Sequence, residues 1–140
     1  MGGYRFLEHV SDAIIEAWGT SLEETFTQAA IAMYEIMLDI SSVKPLVVHE
    51  ASAEGFDLHS LLYDWLEGLL FIFDTEKLVF SRFELKIIQE GEYRLTGSMT
   101  GEEYDPKRHR SRVEVKAVTL HEMKFEERNG KIHATFLLDI

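Results

Sequence analysis

Two acids near opposite ends of the chain offer the first candidate chemistry. Asp12 closes the polar stretch Leu7-Glu8-His9-Val10-Ser11-Asp12 just before an apolar segment, and Asp139 follows Leu137-Leu138 one residue ahead of Ile140. If the last strand lies beside the first, Asp12, Asp139 and the terminal carboxylate of Ile140 converge. Three anionic groups held together repel one another unless a proton or a cation intervenes. Oxygen-only donors select a hard ion, Ca²⁺ or Mg²⁺. The plainer reading keeps Asp12 as a loop acid bonded to nearby amides and Asp139 in a solvated tail. Both readings stand, because spacing alone does not fix the pairing.

A second candidate is the loop Gly101-Glu-Glu-Tyr-Asp-Pro-Lys-Arg-His-Arg110. It gathers Lys107, Arg108 and Arg110 around His109, with Arg112 just beyond. Such a cluster can hold a phosphate or a carboxylate-bearing partner. It can equally be a solvated loop that offsets local acid.

Other chemistry is excluded by type or spacing. The chain has no Cys, so thiolate metal sites, disulfides and cysteine nucleophiles are ruled out. No Gly-x-x-x-x-Gly-Lys-Ser/Thr loop, Gly-x-Gly-x-x-Gly turn or Gly-x-Ser-x-Gly elbow occurs. Gly97-Ser-Met-Thr-Gly101 has the wrong spacing and lacks the lysine, so no nucleotide cradle is expected. The six histidines (His9, His49, His59, His109, His121, His133) never form His-x-His or His-Glu-x-x-His, and they read as surface or strand residues.

The elements that must position these groups follow from periodicity. Asp12-Ala-Ile-Ile-Glu-Ala-Trp18 reads as a strand ended by Gly19. Ser21-Leu-Glu-Glu24 is a capping box, in which Ser21 accepts from the Glu24 amide and the Glu24 side chain reaches back to the Ser21 amide. Leu22, Phe26, Ala29, Ala30, Met33 and Met37 then predict a helix to about Leu38. A strand-like run, Leu46 to Ala51, follows Pro45. Asp57 caps a second helix whose apolar stripe, from Leu58 through Trp65 to Phe73, is too broad for a surface helix. Gly68 inside it either costs about 1 kcal/mol relative to Ala or permits close backbone approach.

Leu78–Gln89 and Tyr93–Thr100 read as strands joined at Glu90-Gly91. Val113–Thr119 alternates as another strand. Asn129-Gly130 predicts a type I′ hairpin between Phe125 and Phe136. The order predicts an α+β fold, a two-layer sandwich with two helices on a largely antiparallel or mixed sheet, forming one domain over residues 1–140.

Composition bounds the partners. Net charge is −11, which repels phosphate backbones and favours cations or basic surfaces, or simply solubility. Apolar runs such as Leu69–Phe73 are far shorter than the roughly 20 residues a membrane span needs. Met1-Gly-Gly-Tyr-Arg5 leads into Phe6-Leu-Glu8 without a basic-then-apolar leader, so a cytoplasmic protein is expected.

Several blocks together resemble the archease family: Glu8-His-Val-Ser-Asp12, Thr20 to Phe26 with Ala29-Ala30, Leu61 to Leu66 through Phe73-Asp-Thr-Glu76, Asp105 to Arg110, Glu114 to Thr119, and Leu138-Asp-Ile140. The resemblance is collinear over essentially the whole chain. It departs mildly at Val10-Ser11, where Thr-Ala is commoner, which touches loop packing and leaves the Asp intact. It implies a non-enzymatic activator of an RtcB-type tRNA-splicing ligase that promotes guanylylation and multiple turnover and broadens nucleotide use. RNA would be reached only through the ligase, with no nucleotide bound by this chain and no membrane contact. It further implies a metal site, usually for Ca²⁺, at Asp12, Asp139 and Ile140, and makes Lys116 a candidate functional residue. Lys107, Arg108, His109 and Arg110 are candidate partner contacts. Two rival readings remain: a general chaperone or adaptor for RNA-processing enzymes, and a metal-dependent hydrolase using Asp12 and Asp139.

Overall fold

In chain order the elements are β1 (Gly3–His9), β2 (Asp12–Gly19), α1 (Leu22–Met37), a 3-10 turn (Ile40–Ser42), β3 (Val47–Gly55), α2 (Leu58–Glu76), β4 (Leu78–Glu90), β5 (Glu92–Glu103), β6 (Ala117–Arg128) and β7 (Lys131–Asp139). The computed structural model describes residues 1–9 and 12–140, so Val10 and Ser11 of the polar cluster lie outside the described residues.

Local chemistry accounts for the boundaries. The Ser21 hydroxyl accepts from the Glu24 amide at 3.1 Å and starts α1. The predicted reciprocal bond differs: Glu24 Oε1 accepts from the Thr20 amide, at 2.7 Å, rather than from Ser21. Gly19 lets the chain fold tightly over the Glu24 side chain, which brings Thr20 within reach. Asp57 and Ser60 form a complete capping box at the start of α2. Lys77, in the left-handed region at φ 57°, ends α2, and its amide donates to the Phe73 carbonyl. Asn129 and Gly130 both have positive φ, 52° and 74°, as a type I′ hairpin requires.

The strands form two sheets rather than the single one predicted. One has the order β1-β2-β7-β6 and the other β3-β5-β4, and every described pairing is antiparallel. α1 packs on β2 and also meets β4, while α2 packs on β3 and β6, so each helix serves both sheets. One continuous core results, with Phe26, Met33 and Tyr34 of α1 and Leu62, Trp65 and Leu69 of α2 all buried. That placement explains the breadth of the α2 stripe, since a helix contacting two sheets needs more than one apolar face. Among the described residues no helix is long and apolar enough to cross a membrane.

Two further differences from the sequence reading have local causes. β1 precedes the expected first strand and pairs with β2, leaving β2 interior to its sheet. The expected strand from Val113 begins only at Ala117. The amides of Arg112 and Val113 donate instead to the carbonyls of Met37 and Ile36, at 2.8 and 3.1 Å. This segment satisfies the last turn of α1, so it cannot also join a ladder there.

Candidate functional site

Along β2, Ala13, Ile15 and Ala17 are buried against the helices. The two-residue period of a strand then sends Asp12, Ile14, Glu16 and Trp18 to the opposite face. The register of β2 with β7 places Asp12 directly opposite Asp139, Ile14 opposite Leu137, Glu16 opposite Thr135 and Trp18 opposite His133. Directly opposed side chains share a face, with Cβ atoms about 5 Å apart. The two acids from the ends of the chain therefore meet, with Asp139 exposed and Asp12 half-buried. Ile140 follows immediately beyond the strand.

On the other side of Asp139 lies Ala117, and the Lys116 amide donates to the Asp139 carbonyl at 2.7 Å. The main chain of Lys116 thus holds Asp139 in place, and Lys116 itself is exposed and lines a cleft with Phe73, Tyr104 and Arg112. Two carboxylates on one face, one exposed and one half-buried, suit a hard cation that completes its shell with water and main-chain oxygens. Among the described residues no group of three or more His, Asp or Glu suited to a metal occurs. Among the described residues the same observation gives the dispersed histidines no shared site.

The basic loop is divided by the fold. His109 is completely buried, and its Nδ1 accepts the Asp105 amide at 2.9 Å while Nε2 lies 2.9 Å from Glu102. A ring accepting at Nδ1 carries its proton on Nε2, so His109 donates to Glu102. Arg108 Nη2 donates to the other Glu102 oxygen at 2.5 Å, and the Lys44 amide donates to Glu102 at 2.7 Å. Arg112 bonds the Glu35 carbonyl at 2.8 Å. These groups fasten the loop to the end of α1 and the start of β3. Lys107 and Arg110 remain exposed, with no ion pair among the described residues. Of the predicted partner contacts, His109 is an internal strut and Arg108 is largely committed.

Glu102 is the residue the sequence reading misses, although it lies within the quoted loop. The Arg108 hydrogen bond, outweighing burial and aided by His109 and the Lys44 amide, holds its carboxyl down at about 2. Because the folded value lies below that of the unfolded chain, this stabilisation is full above about pH 4.5 and is lost as pH falls toward 2. Glu102→Ala is expected to destabilise the protein by about 2–3 kcal/mol, since it leaves the His109 N–H and Lys44 amide without an acceptor. The difference in melting temperature between wild type and variant should persist at pH 5 and shrink in strong acid. A constant difference down to pH 2 would refute the assignment.

A second buried acid, Glu16, sits on the same face as Asp12. Arg5 Nε donates to it at 2.6 Å, His133 Nδ1 lies 3.0 Å away, and Arg128 also donates to it. Burial pushes the Glu16 carboxyl up, but bonds from Arg5, His133 and Arg128 win and lower it. Trp18 stacks on His133 at 5.7 Å and closes one side. The signal in the sequence is a lone acid inside Ala-Ile-Ile-Glu-Ala-Trp.

With this geometry in view, comparison with known proteins is direct. The archease protein family (MTH1598/TM1083) matches residues 4–140. The chain is 42% identical to protein archease of Sulfurisphaera tokodaii and 43% identical to that of Methanothermobacter thermautotrophicus, covering 100% of both partners in each case. The solution structure of protein 1598 from Methanobacterium thermoautotrophicum superposes with a TM-score of 0.86 at 42% identity, covering 99% of each chain. A Thermotoga maritima archease, called a possible chaperone, shares the fold at a TM-score of 0.64 and 18% identity over 96% of this chain and 94% of its own. A full-length match in sequence, joined to the same fold, places this chain in the archease family.

Proposed function

We propose that this protein is a non-enzymatic activator of an RtcB-type tRNA-splicing ligase, promoting its guanylylation and multiple turnover and widening its nucleotide use. The observation that carries the reading is the opposition of Asp12 and Asp139 on an uncovered sheet face, within a chain that matches archeases along its whole length. The work is done in the cytoplasm, and RNA is reached only through the ligase. Net charge −11 agrees with that indirect role, since the protein's own field repels a phosphate backbone.

Asp12, Asp139 and a main-chain or terminal oxygen of Ile140 would hold a divalent cation, Ca²⁺ or Mg²⁺, which supplies positive charge at a partner's acidic or phosphate groups. Asp139 is kept in register by β2 on one side and by the Lys116 amide on the other. Lys116, Lys107 and Arg110 offer exposed cations to anionic groups of the partner. Activation requires that the ligase be bound more tightly in its guanylylation-competent conformation, because equal affinity for both states shifts nothing.

Asp139→Asn tests this with two readouts of opposite sign. Like charges directly opposed across strands are destabilising, so the variant should melt at the same temperature or higher, by about 0.2–1 kcal/mol. Its stimulation of multiple-turnover ligation should fall by most of the wild-type enhancement, roughly 5- to 150-fold for a typical coupling. Full stimulation by the well-folded variant, or by Asp12→Asn, would remove the acids from the mechanism. Wild-type protein that leaves ligase turnover unchanged would remove the function itself.

A further inference from the structure

The face that carries Asp12 and Asp139 continues into an open groove of about 710 Å³. Ile14 and Leu137, opposed in register, form its floor next to the acid pair. Leu7 from β1 walls one side, and Met123 from β6 walls the other. β6 departs from regular pairing between Thr119 and Lys124, which places Glu122 and Met123 at the lip.

The two ends of this groove differ in charge. Asp12 and Asp139 lie just beyond one, the next pair on that face after Ile14 and Leu137, with Glu122 on the lip. At the other, Arg5, Arg128 and Lys124 face Glu16 and Glu126, and Glu16 is buried and fully engaged. Arg5 uses only its Nε among the described residues, with 60% of its side chain exposed, and Arg128 is 47% exposed. A buried carboxylate thus fixes two guanidinium groups that line the groove, Arg128 also meeting Glu126 through Nε at 3.4 Å. Along β2 the ends are four residues apart, about 13 Å at the rise of a strand.

We propose that this groove seats an extended segment of the ligase, about five residues long. A basic side chain lies over Asp12 and Asp139, an apolar one sits on Ile14 and Leu137, and an acidic one reaches Arg5 and Arg128. The proposal rests on the ligase reading and adds the docking surface and the direction in which the segment runs. Charge complementarity sets that direction, since the reversed segment meets a like charge at each end. The acid end disfavours a nucleic-acid strand, whose phosphates repeat one sign along the whole length.

The test measures binding of purified ligase to four versions of the full chain. One is wild type. A second carries Glu122→Lys with Lys124→Glu, which exchanges the groove's lip charges at constant net charge. A third carries Leu7→Asp on the wall. The fourth exchanges Arg82→Glu with Glu84→Arg on an exposed stretch of β4 in the other sheet. All changed positions are exposed, and melting curves check the fold. The two groove versions should bind about tenfold more weakly, about 1.4 kcal/mol, with the β4 exchange unchanged. Groove versions within about twofold of wild type, or an equal loss in the β4 exchange, would overturn the docking surface while leaving the ligase reading intact. Self-association of wild type that the groove changes abolish, or tight binding of bare RNA there, would also overturn it. If wild type does not bind the ligase at all, the ligase reading falls and this occupant falls with it.

Discussion

Gly101→Ala is expected to destabilise the protein by about 4 kcal/mol and to lower its melting temperature by about 10–20 °C. Gly101 is buried in β5, opposite Val47 on one side and Phe80 on the other. A Cβ there would lie 1.8 Å from the Val79 carbonyl oxygen and 2.6 Å from the Phe80 Cα. Both obstacles are backbone atoms, so no rotamer change relieves the overlap. Relief requires the β4 irregularity between Phe80 and Arg82 to move, and Phe80 is a fully buried core residue. The Gly101 carbonyl also accepts the Leu46 amide at 2.9 Å, so β3 shifts too. Gly68→Ala provides the contrast. A Cβ there meets nothing within 4 Å, so the variant should gain about 0.5–1 kcal/mol from reduced unfolded-state freedom. Urea denaturation of the pair reads both signs. Equal stabilities would refute the packing argument.

Trp65→Ala should have a comparable effect, about 3–5 kcal/mol. The indole is buried in α2, donates from Nε1 to the Phe26 carbonyl of α1 at 3.0 Å, and meets the Phe83 ring of β4 edge-on at 5.9 Å. One side chain therefore ties both helices to the second sheet, and its loss leaves a cavity that three elements must collapse to fill. Trp65→Phe retains most of the volume and loses the hydrogen bond, so about 1–2 kcal/mol is expected. An unchanged dependence of unfolding free energy on urea would show that folded stability, rather than the denatured state, carries the difference.

Much of the fold is legible because local signals and tertiary packing agree. Ser21 and Asp57 start helices by satisfying amides within three residues, and Asn129-Gly130 turns by intrinsic conformational freedom. Where a distant partner decides, the sequence is silent. Val113–Lys116 alternates like a strand, but its start is drawn away, Arg112 and Val113 bonding the open carbonyls of α1. The division into two sheets depends on which strands pair, and alternation does not encode that.

The candidate site divides in the same way. Asp12 and Asp139 stand out as acids at the ends of apolar runs, and their meeting depended on one pairing that the register supplies. The basic loop stood out by composition, yet composition does not show that His109 turns inward to Glu102. Glu16 and Glu102 passed unnoticed because a strand glutamate looks the same whether it meets water or arginine.

The adjacency of β2 and β7 has a kinetic consequence. Their pairing closes a loop of nearly the whole chain, and contacts of that separation form slowly because the entropy of closure precedes the reward. During synthesis the helices and the β3-β5-β4 sheet can form while β2 still lacks its β7 neighbour and shows an open hydrogen-bonding edge. The acid pair therefore comes into being only when the fold closes. A chain halted before β7 can display helices and a sheet, but it cannot present Asp12 and Asp139 together.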